Sequence, residues 1–385
     1  MFYMDETNGF SAKLIVVGVG GGGCNALNNM VDAGIQGVEF IAVNTDVKSL
    51  SACKAALKIQ IGTKLTEGLG AGANPEVGKK SALEDIDKIK DHLKGAHMVF
   101  ITCGLGGGTG TGASPVIAEI AKDVGALTVA IATKPFAFEG KDRMSQAENG
   151  VLQLKGRVDS LITIPNQRLL SIGGRHMTIM EAFLKADEVL LNAVRSISDL
   201  IIGSGHVVVD FADVKTIMSE RGMAIMGIGE ADGENRAREA AQKAISSPLL
   251  EDISIHGARG VLINVTGNTN MTLNEVSEAS TLIQEQAHEH AKIIWGLVYD
   301  ESMEDAIRIT VIATGFEEQV QTDEDKSDTF AHGRLFDEEN IPSFMKKKVA
   351  IDYKVDYKDI KSKSDSIDID DDRYDIPTFL RKQAD

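Results

Sequence analysis

The chain has 385 residues, 43% of them apolar, and its 40 Lys and Arg against 57 Asp and Glu give a formal net charge of −17. So acidic a surface repels nucleic-acid phosphates and anionic lipid, which excludes a nucleic-acid partner and leaves membrane contact only through an intermediary. No run of about 18 apolar residues could span a bilayer, and the acidic start MFYMDETNGF lacks the order of a secretory signal.

The cysteines Cys24, Cys53 and Cys103 show neither metal nor disulfide spacing, which suits a reducing compartment. The expectation is a soluble cytoplasmic protein. At this length one core is exceeded, and two domains plus extras are expected.

Residues 1–11 read as a disordered lead. Residues 13–17 (KLIVV) form a β-branched strand that enters Gly18-Val-Gly-Gly-Gly-Gly-Cys-Asn25, and a helix follows over 26–33. A second strand, 38–43, ends in Asn44-Thr45-Asp46. The glycine turn at 68–75, which contains Gly72, precedes a helix over 77–90.

Residues 97–103 (HMVFITC) read as a buried strand, and 116–124 (VIAEIAKDV) carries helical apolar spacing. Between them lies GLGGGTGTGASP, residues 104–115. Strands at 126–133 and 161–164 follow, the latter ending in Pro165-Asn166. This alternation predicts an α/β fold, a Rossmann-like parallel sheet with ligand loops at the carboxyl ends of its strands.

Residues 177–197 predict a long helix with Phe183, Ala186, Leu190, Ala193 and Ile197 on one stripe, a candidate spine between two domains. Strands at 224–229, 261–266 and 307–313 then interleave with helices at 234–245 and 273–288, the pattern of a smaller α+β domain. From 317 to 373 the chain is rich in Asp, Lys and Ser and reads as a disordered acidic tether. The expected division is a lead at 1–11, a nucleotide domain at 12–176, a central helix at 177–203, an α+β domain at 204–316, a linker at 317–373 and a terminal peptide at 374–385.

The loop at 104–115 carries the first chemical signal. Gly106, Gly107, Gly108, Gly110 and Gly112 permit positive φ and close approach of backbone to a ligand. Free N–H groups and a helix dipole would face an anion there, Thr109 and Thr111 add hydroxyls, and Pro115 falls near the first turn. No Lys follows the glycines, so this is not a GxxxxGK[ST] loop. A flexible linker is seldom held between a buried strand and a helix.

The first glycine run satisfies GxGxxG at Gly18, Gly20 and Gly23, with Asp46 where a dinucleotide site places an acid. Alone it would favour an NAD-dependent oxidoreductase. The second cradle argues against that reading, because one dinucleotide needs one such loop and two suit a nucleoside triphosphate. Cys24 and Cys103 flank these loops and read as small buried thiols without redox function.

The run GGGTGTG at 106–112 is the signature of the tubulin/FtsZ family, and the resemblance to bacterial cell-division GTPases of FtsZ type covers about 13–315 and the last dozen residues. It implies a GTPase domain joined by a long central helix to the smaller α+β domain, with GTP or GDP and Mg²⁺ as ligands. On this resemblance Gly20, Gly21, Gly22, Gly23, Asn25, Gly72, Gly104, Gly106, Gly107, Gly108, Thr109, Gly110, Thr111 and Pro135 surround the nucleotide. Asn44 and Asp46 lie near the phosphates and Mg²⁺, which has no dedicated protein site. Glu139 and Arg143 face ribose and phosphate, while Asn166, Phe183 and Asp187 hold guanine.

A carboxylate at Asp187 suits the donors of guanine and opposes adenine's ring acceptor. The plainer readings are a core Phe183, a solvated Glu139–Arg143 pair and turn caps at Asn44 and Asp46. The segment VDFADV at 209–214 resembles the family's catalytic loop, which implies that Asp210 and Asp213 orient the attacking water in trans, completing the site of the next subunit in a head-to-tail homopolymer. In isolation two such Asp residues are more often helix caps. Val208 stands where the family pattern has Asn, which opens the alternative of a filament or regulator of this family with weakened hydrolysis.

The terminal peptide DIPTFLRKQAD resembles the family's docking peptide, which implies binding of membrane tethers and division regulators through Ile376, Pro377, Phe379, Leu380, Arg381 and Lys382. Ile341-Pro-Ser-Phe-Met-Lys-Lys-Lys348 repeats its pattern and is a candidate second docking site. Together these readings imply a polymerising GTPase of the cytokinetic ring, placed in the cytoplasm at the mid-cell division site.

Overall fold

The computed structural model describes residues 12–173, 177–202, 209–220, 222–250 and 255–316, all within the compact unit Met1–Glu318. The readings made on 1–11, on Val208 and on 317–385, both docking segments included, lie outside the described residues.

The strands are β1 (Leu14–Val19), β2 (Val38–Asn44), β3 (Leu57–Gln60), β4 (Met98–Gly104), β5 (Leu127–Lys134), β6 (Ser160–Pro165), β7 (Gly222–Ala231), β8 (Gly260–Gly267), β9 (Lys292–Tyr299) and β10 (Ile307–Thr314). The helices are α1 (Gly20–Asp32), α2 (Val47–Ala52), α3 (Thr63–Thr66), α4 (Pro75–Glu84), α5 (Ile86–Leu93), α6 (Thr109–Asp123), α7 (Lys141–Lys155), α8 (Asn166–Gly173), α9 (Ile179–Ile202), α10 (Phe211–Met218), α11 (Arg236–Ile245) and α12 (Leu273–Gln286).

The strands lie in the order β3-β2-β1-β4-β5-β6-β7-β10-β8-β9. β1 to β6 pair in parallel; β10 is antiparallel to β7 and β8, and β9 is parallel to β8. Only Ser160, Leu161 and Ile162 of β6 pair with β7, so the two halves of the sheet meet over a short ladder.

The parallel strands are apolar throughout because both their faces are covered. Leu14, Val16, Met98, Phe100, Val129 and Ile131 point towards α1 and α9. Their neighbours Ile15, Val17, Val99, Ile101, Ala130 and Ala132 point towards α5, α6 and α7, as a two-residue side-chain period requires. A third core joins β7, β8 and β10 to α11 and α12.

α9 has the spine's position: its buried stripe enters the same core as Met226, Leu262 and Ile312 of the second half. Ser196 Oγ hydrogen-bonds Thr310 Oγ1 at 3.0 Å, and Asn264 Nδ2 donates to the Ser196 carbonyl at 3.1 Å. No helix among the described residues is long and apolar enough to cross a membrane.

Four sequence readings change. α1 and α6 begin at Gly20 and Thr109, ahead of the residues where helical periodicity becomes visible, so Gly20 to Gly23 of the first glycine run and Gly110 and Gly112 of the second are helical. Pro115 therefore sits in the second turn of α6, beyond the first. The helix expected over 77–90 is broken into α4 and α5, because the buried carboxylate of Asp85 leaves the helical pattern to accept the Gly62 N–H at 2.8 Å. α2, β3, α3, α7, α8 and β9 were not anticipated.

Candidate functional site

The carboxyl ends of β1, β2, β4, β5 and β6 open into a cavity of about 570 Å³. One side of it is made by the start of α1 and the loop leading into α6, through Gly21, Gly22, Gly107, Gly108, Thr109 and Gly110. Neither helix has an acidic residue in its first turn or a side-chain cap, and the first-turn residues Gly21, Gly22, Thr109 and Gly110 line the cavity, which leaves helix-terminal N–H groups for a ligand to satisfy. Two converging positive helix ends make an anion site. By contrast Asp46 and Asn74 cap α2 and α4 through the N–H groups of Lys48 and Glu76.

The glycines divide by what a Cβ would meet. At Gly110 it would lie 2.4 Å from the Gly104 carbonyl oxygen, at Gly112 1.9 Å from that of Pro75, and at Gly23 2.6 Å from that of Thr102. These glycines let α1, α4, α6 and the sheet touch. Nothing lies within 4 Å of a Cβ at Gly21 or Gly107, both of which line the cavity, so their missing side chains leave space for a ligand. Of the glycines at 106–112 only Gly106 has positive φ, +93°; the expectation of positive φ through the run is corrected, because Gly110 and Gly112 are in α6 and Gly108, its N-cap, already has helical φ and ψ.

Of the expected site residues, Gly21, Gly22, Asn25, Asn44, Asp46, Gly104, Gly107, Gly108, Thr109, Gly110, Pro135, Glu139, Arg143, Asn166, Phe183 and Asp187 line this one cavity. Gly20, Gly23, Gly72, Gly106 and Thr111 are not in its lining; the Thr111 hydroxyl accepts the Gly106 N–H at 2.9 Å and so shapes the loop. Asn44 and Asp46 do cap, as the plainer reading held: Asn44 Oδ1 accepts from the N–H groups of Thr45 and Asp46. They face the cavity as well.

Arg143 Nη1 is 2.7 Å from Glu139 Oε2, and Glu139 Oε1 accepts the Phe136 N–H at 3.0 Å. The carboxylate thereby fixes the guanidinium at the cavity's edge. Phe183, 40% exposed, sits edge-on to Phe136 at 5.2 Å and offers the cavity a free face, so it is not a core residue.

Asn166 is buried, yet its Oδ1 has no hydrogen-bond partner. A buried orphan acceptor at a cavity wall calls for a ligand donor. Burial pushes the Asp187 carboxyl up to about 7, and Asn29 Nδ2 donates to its Oδ2 at 3.3 Å. Beyond it an adjoining cavity of about 750 Å³ runs past Asn29 to Ile179, Met180 and Leu184.

Sequence reasoning missed several parts. Thr45 and Thr109 share a 2.7 Å hydroxyl hydrogen bond that ties β2 to the start of α6. Ser49 and Thr133 line the cavity as single residues with no motif of their own, and Ala71 and Leu105 line it from within the glycine turns at 68–75 and 104–115. Gln146 on α7, oriented so that its amide nitrogen donates, reaches the carbonyls of Gly106 and Ala73 at 3.0 and 3.2 Å and braces two ligand loops.

Asp210 and Asp213 do not join this cavity. They are exposed at the start of α10, and Asp210, although at the cap position, makes no side-chain capping bond. The Phe211 ring packs 6.2 Å from that of His97, which precedes β4, and Ser160 Oγ at the start of β6 donates to the Met218 carbonyl at 2.6 Å. α10 thus lies at the amino edge of the sheet and the cavity at the carboxyl edge. The seven residues of β4 separate them by about 23 Å.

This fold and this anion site are those of a tubulin-class GTPase. The description "Tubulin/FtsZ family, GTPase domain" matches residues 13–174, and "FtsZ family, C-terminal domain" matches 222–317. A solved FtsZ dimer from M. jannaschii is 48% identical, covering 79% of this chain and 88% of that one at a TM-score of 0.77. A Trp-to-Tyr mutant of FtsZ from M. jannaschii gives 48%, 80%, 92% and 0.77. The GDP-bound CetZ1 monomer from Haloferax volcanii, 21% identical over 80% and 95% of the two chains at a TM-score of 0.69, shares the fold.

The chain belongs to the tubulin/FtsZ family as an FtsZ-type protein, and it is a GTPase that binds GTP and GDP.

Proposed function

We propose that this chain is the GTP-dependent, filament-forming GTPase of a cytokinetic ring, and that each catalytic site is completed by Asp210 and Asp213 of the next subunit. The observation that carries the reading is the opposition of cavity and carboxylates across the sheet. Two exposed acids about 23 Å from their own nucleotide cavity cannot orient its attacking water, but a head-to-tail neighbour brings them to it. Exposed Ile179, Met180 and Leu184 of the adjoining cavity, with Leu69 and Phe138 beside the lining residues Gly70 and Glu139, supply apolar surface such a contact would bury. The related FtsZ solved as a dimer supports self-association.

Within the cavity, the amides of α1 and α6 take the phosphates, Glu139 and Arg143 the ribose and phosphate edge, Phe183 the purine face, and Asn166 and Asp187 the guanine donors. Mg²⁺ fits as a passenger of the phosphates beside Asn44 and Asp46, because no cluster of three ligating side chains exists among the described residues; bound there, it would neutralise charge developing on the transferred phosphoryl. GTP at the contact holds the filament together and hydrolysis loosens it.

The terminal peptide and, more weakly, Ile341 to Lys348 connect this cytoplasmic filament to membrane tethers and regulators at mid-cell. Val208 in place of Asn favours a second reading, slower hydrolysis in an otherwise normal filament.

The test mixes two silent proteins. Gly107→Val fills the phosphate space, and the double variant Asp210→Ala with Asp213→Ala removes the lent carboxylates. Each alone is expected to release no phosphate from GTP, and an equimolar mixture to recover part of the wild-type rate. A mixture that stays silent while both variants remain folded overturns the shared site.

A further inference from the structure

Three cysteines occur in the chain, and all three are buried. Cys103 lies alone in β4 near Ser114. The other two converge although they lie 29 positions apart in the chain: the Cys53 thiol donates to the Cys24 carbonyl oxygen at 3.7 Å, which brings the two side chains close enough to influence each other's ionisation.

Their surroundings hold them in place. Cys24 is one turn into α1, between Gly22 and Asn25 of the cavity lining, and Cys53 caps the end of α2, which carries Asp46 and Ser49 to the same cavity. The chain after Cys53 is tied back to α1, since the Lys54 N–H donates to Asn28 Oδ1 at 2.6 Å and its ammonium pairs with Asp32. Asn44 Nδ2 lies 3.9 Å from Cys24 Sγ, and the Oδ1 of the same amide accepts from the N–H groups of Thr45 and Asp46 at the cavity wall. A change at the sulfurs therefore reaches the nucleotide through one side chain.

We propose that Cys24 and Cys53 form a reversible disulfide under hydroperoxide, and that this bond lowers GTP turnover by pulling Cys24 Sγ away from Asn44. Such transient intracellular disulfides serve sensing rather than stability.

The pair divides the chemistry as a peroxide-reactive dithiol does. The hydrogen bond from Cys24 pulls the Cys53 thiol down, while the hydrogen bond to Cys53, with burial, holds Cys24 up. Cys53 is itself buried, but its chain neighbours Ala52 and Lys54 are exposed. Its thiolate attacks one oxygen of hydrogen peroxide, the O–O bond breaks, and Cys53 sulfenic acid forms while the departing hydroxide takes up the proton the thiol lost on ionising and leaves as water. The Cys24 sulfur then attacks the sulfenic sulfur, the S–S bond forms, the S–O bond breaks, and a second water leaves with the thiol proton. Two thiols are oxidised by one electron each and one peroxide is reduced by two.

Reduced protein is treated with hydrogen peroxide, quenched, and read three ways: titratable thiols after unfolding, non-reducing peptide mass mapping, and phosphate release with GTP before and after dithiothreitol. The expected result is a loss of two of three thiols, a cross-linked peptide pair containing Cys24 and Cys53, and a loss of GTP turnover that dithiothreitol restores. Cys53→Ser and Cys53→Ala are expected to keep turnover under peroxide, and Cys103→Ser to behave as wild type. Three surviving thiols, linkage between chains only, over-oxidised Cys53 without cross-linking, or a formed Cys24–Cys53 bond that leaves turnover unchanged would each overturn the proposal. The thiol count and peptide map read the bond even in protein that does not assemble.

Discussion

Asp187 shows how one side chain can be built for a ligand at the expense of the empty fold. Burial raises its carboxyl to about 7, so the ionised form that accepts guanine's donors is disfavoured until those donors arrive. Because the folded value lies above the unfolded one, its contribution to the stability of the empty protein is present below the ordinary carboxylate range and is lost as pH rises through about 7. Asp187→Asn is therefore expected to stabilise nucleotide-free protein at pH 8 by roughly 1–2 kcal/mol, discounted for the residue's partial exposure, and by almost nothing at pH 4. Calorimetry at the two pH values checks this, and loss of preference for GTP over ATP in the same variant checks the guanine role. Two glycines separate site from scaffold in the same way. Gly107→Ala is expected to leave the melting temperature within a degree or so while weakening GTP binding, because its Cβ enters only the cavity. Gly110→Ala, whose Cβ meets the Gly104 oxygen at 2.4 Å, is expected to lose about 1–3 kcal/mol of stability.

Elements were legible where their apolar residues repeat. β1, β2, β4 to β8 and β10 are runs of buried β-branched and aliphatic residues, and α9 carries an unbroken stripe; periodicity suffices for these. Helix starts were not legible, because glycines that pack against backbone carry no hydrophobic signal, and so α1 and α6 begin ahead of their stripes. α7 escaped because it is largely polar: only Ala147, Gly150 and Leu154 are buried. The edge strand β9 follows α12 after a short connection, residues 287–291, and buries only Gly296. The site was legible where glycine runs or a family motif marked it, and hidden where long-range contact makes the residue matter, as with Gln146 and Thr133. In the second half the clearest such contact joins two helices. Glu275 caps α12 through Thr272 and pairs with Arg236 of α11 at 2.6 Å, and the Arg236 partner draws its carboxyl down to about 2. Its folded value is depressed, so the stabilisation is present above the ordinary glutamate range and is lost as pH falls towards 2. Glu275→Gln is expected to cost about 2 kcal/mol at pH 7 and progressively less below pH 4, which urea unfolding at a series of pH values measures.

At the scale of the molecule, two different arguments compete over how the halves of the sheet communicate. The β6–β7 ladder is three pairs long, which alone would make a weak joint. Against it stands a single core in which Val16 and Phe100 of the first half and Leu262 and Ile312 of the second share α9 and α10. Val214 and Ile217 of α10 are fully buried in that core, and Thr314 Oγ1 donates to the Ile217 carbonyl at 3.0 Å. Buried apolar surface outweighs a few ladder hydrogen bonds, each of net value about 0.5–1.5 kcal/mol, so the described body is expected to unfold as one unit. The chain's one tryptophan makes this measurable: Trp295 lies in β9, at the far edge of the sheet from β3, outside the nucleotide cavity. GDP at about a hundred times its dissociation constant stabilises the state that binds it by about 2.7 kcal/mol. If the halves are coupled, the urea midpoint read by Trp295 fluorescence moves upward with GDP by the same amount as the midpoint read by far-ultraviolet circular dichroism. A tryptophan midpoint that ignores GDP while the dichroism midpoint moves would show that the three-pair ladder, and not the shared core, governs how the two halves hold together.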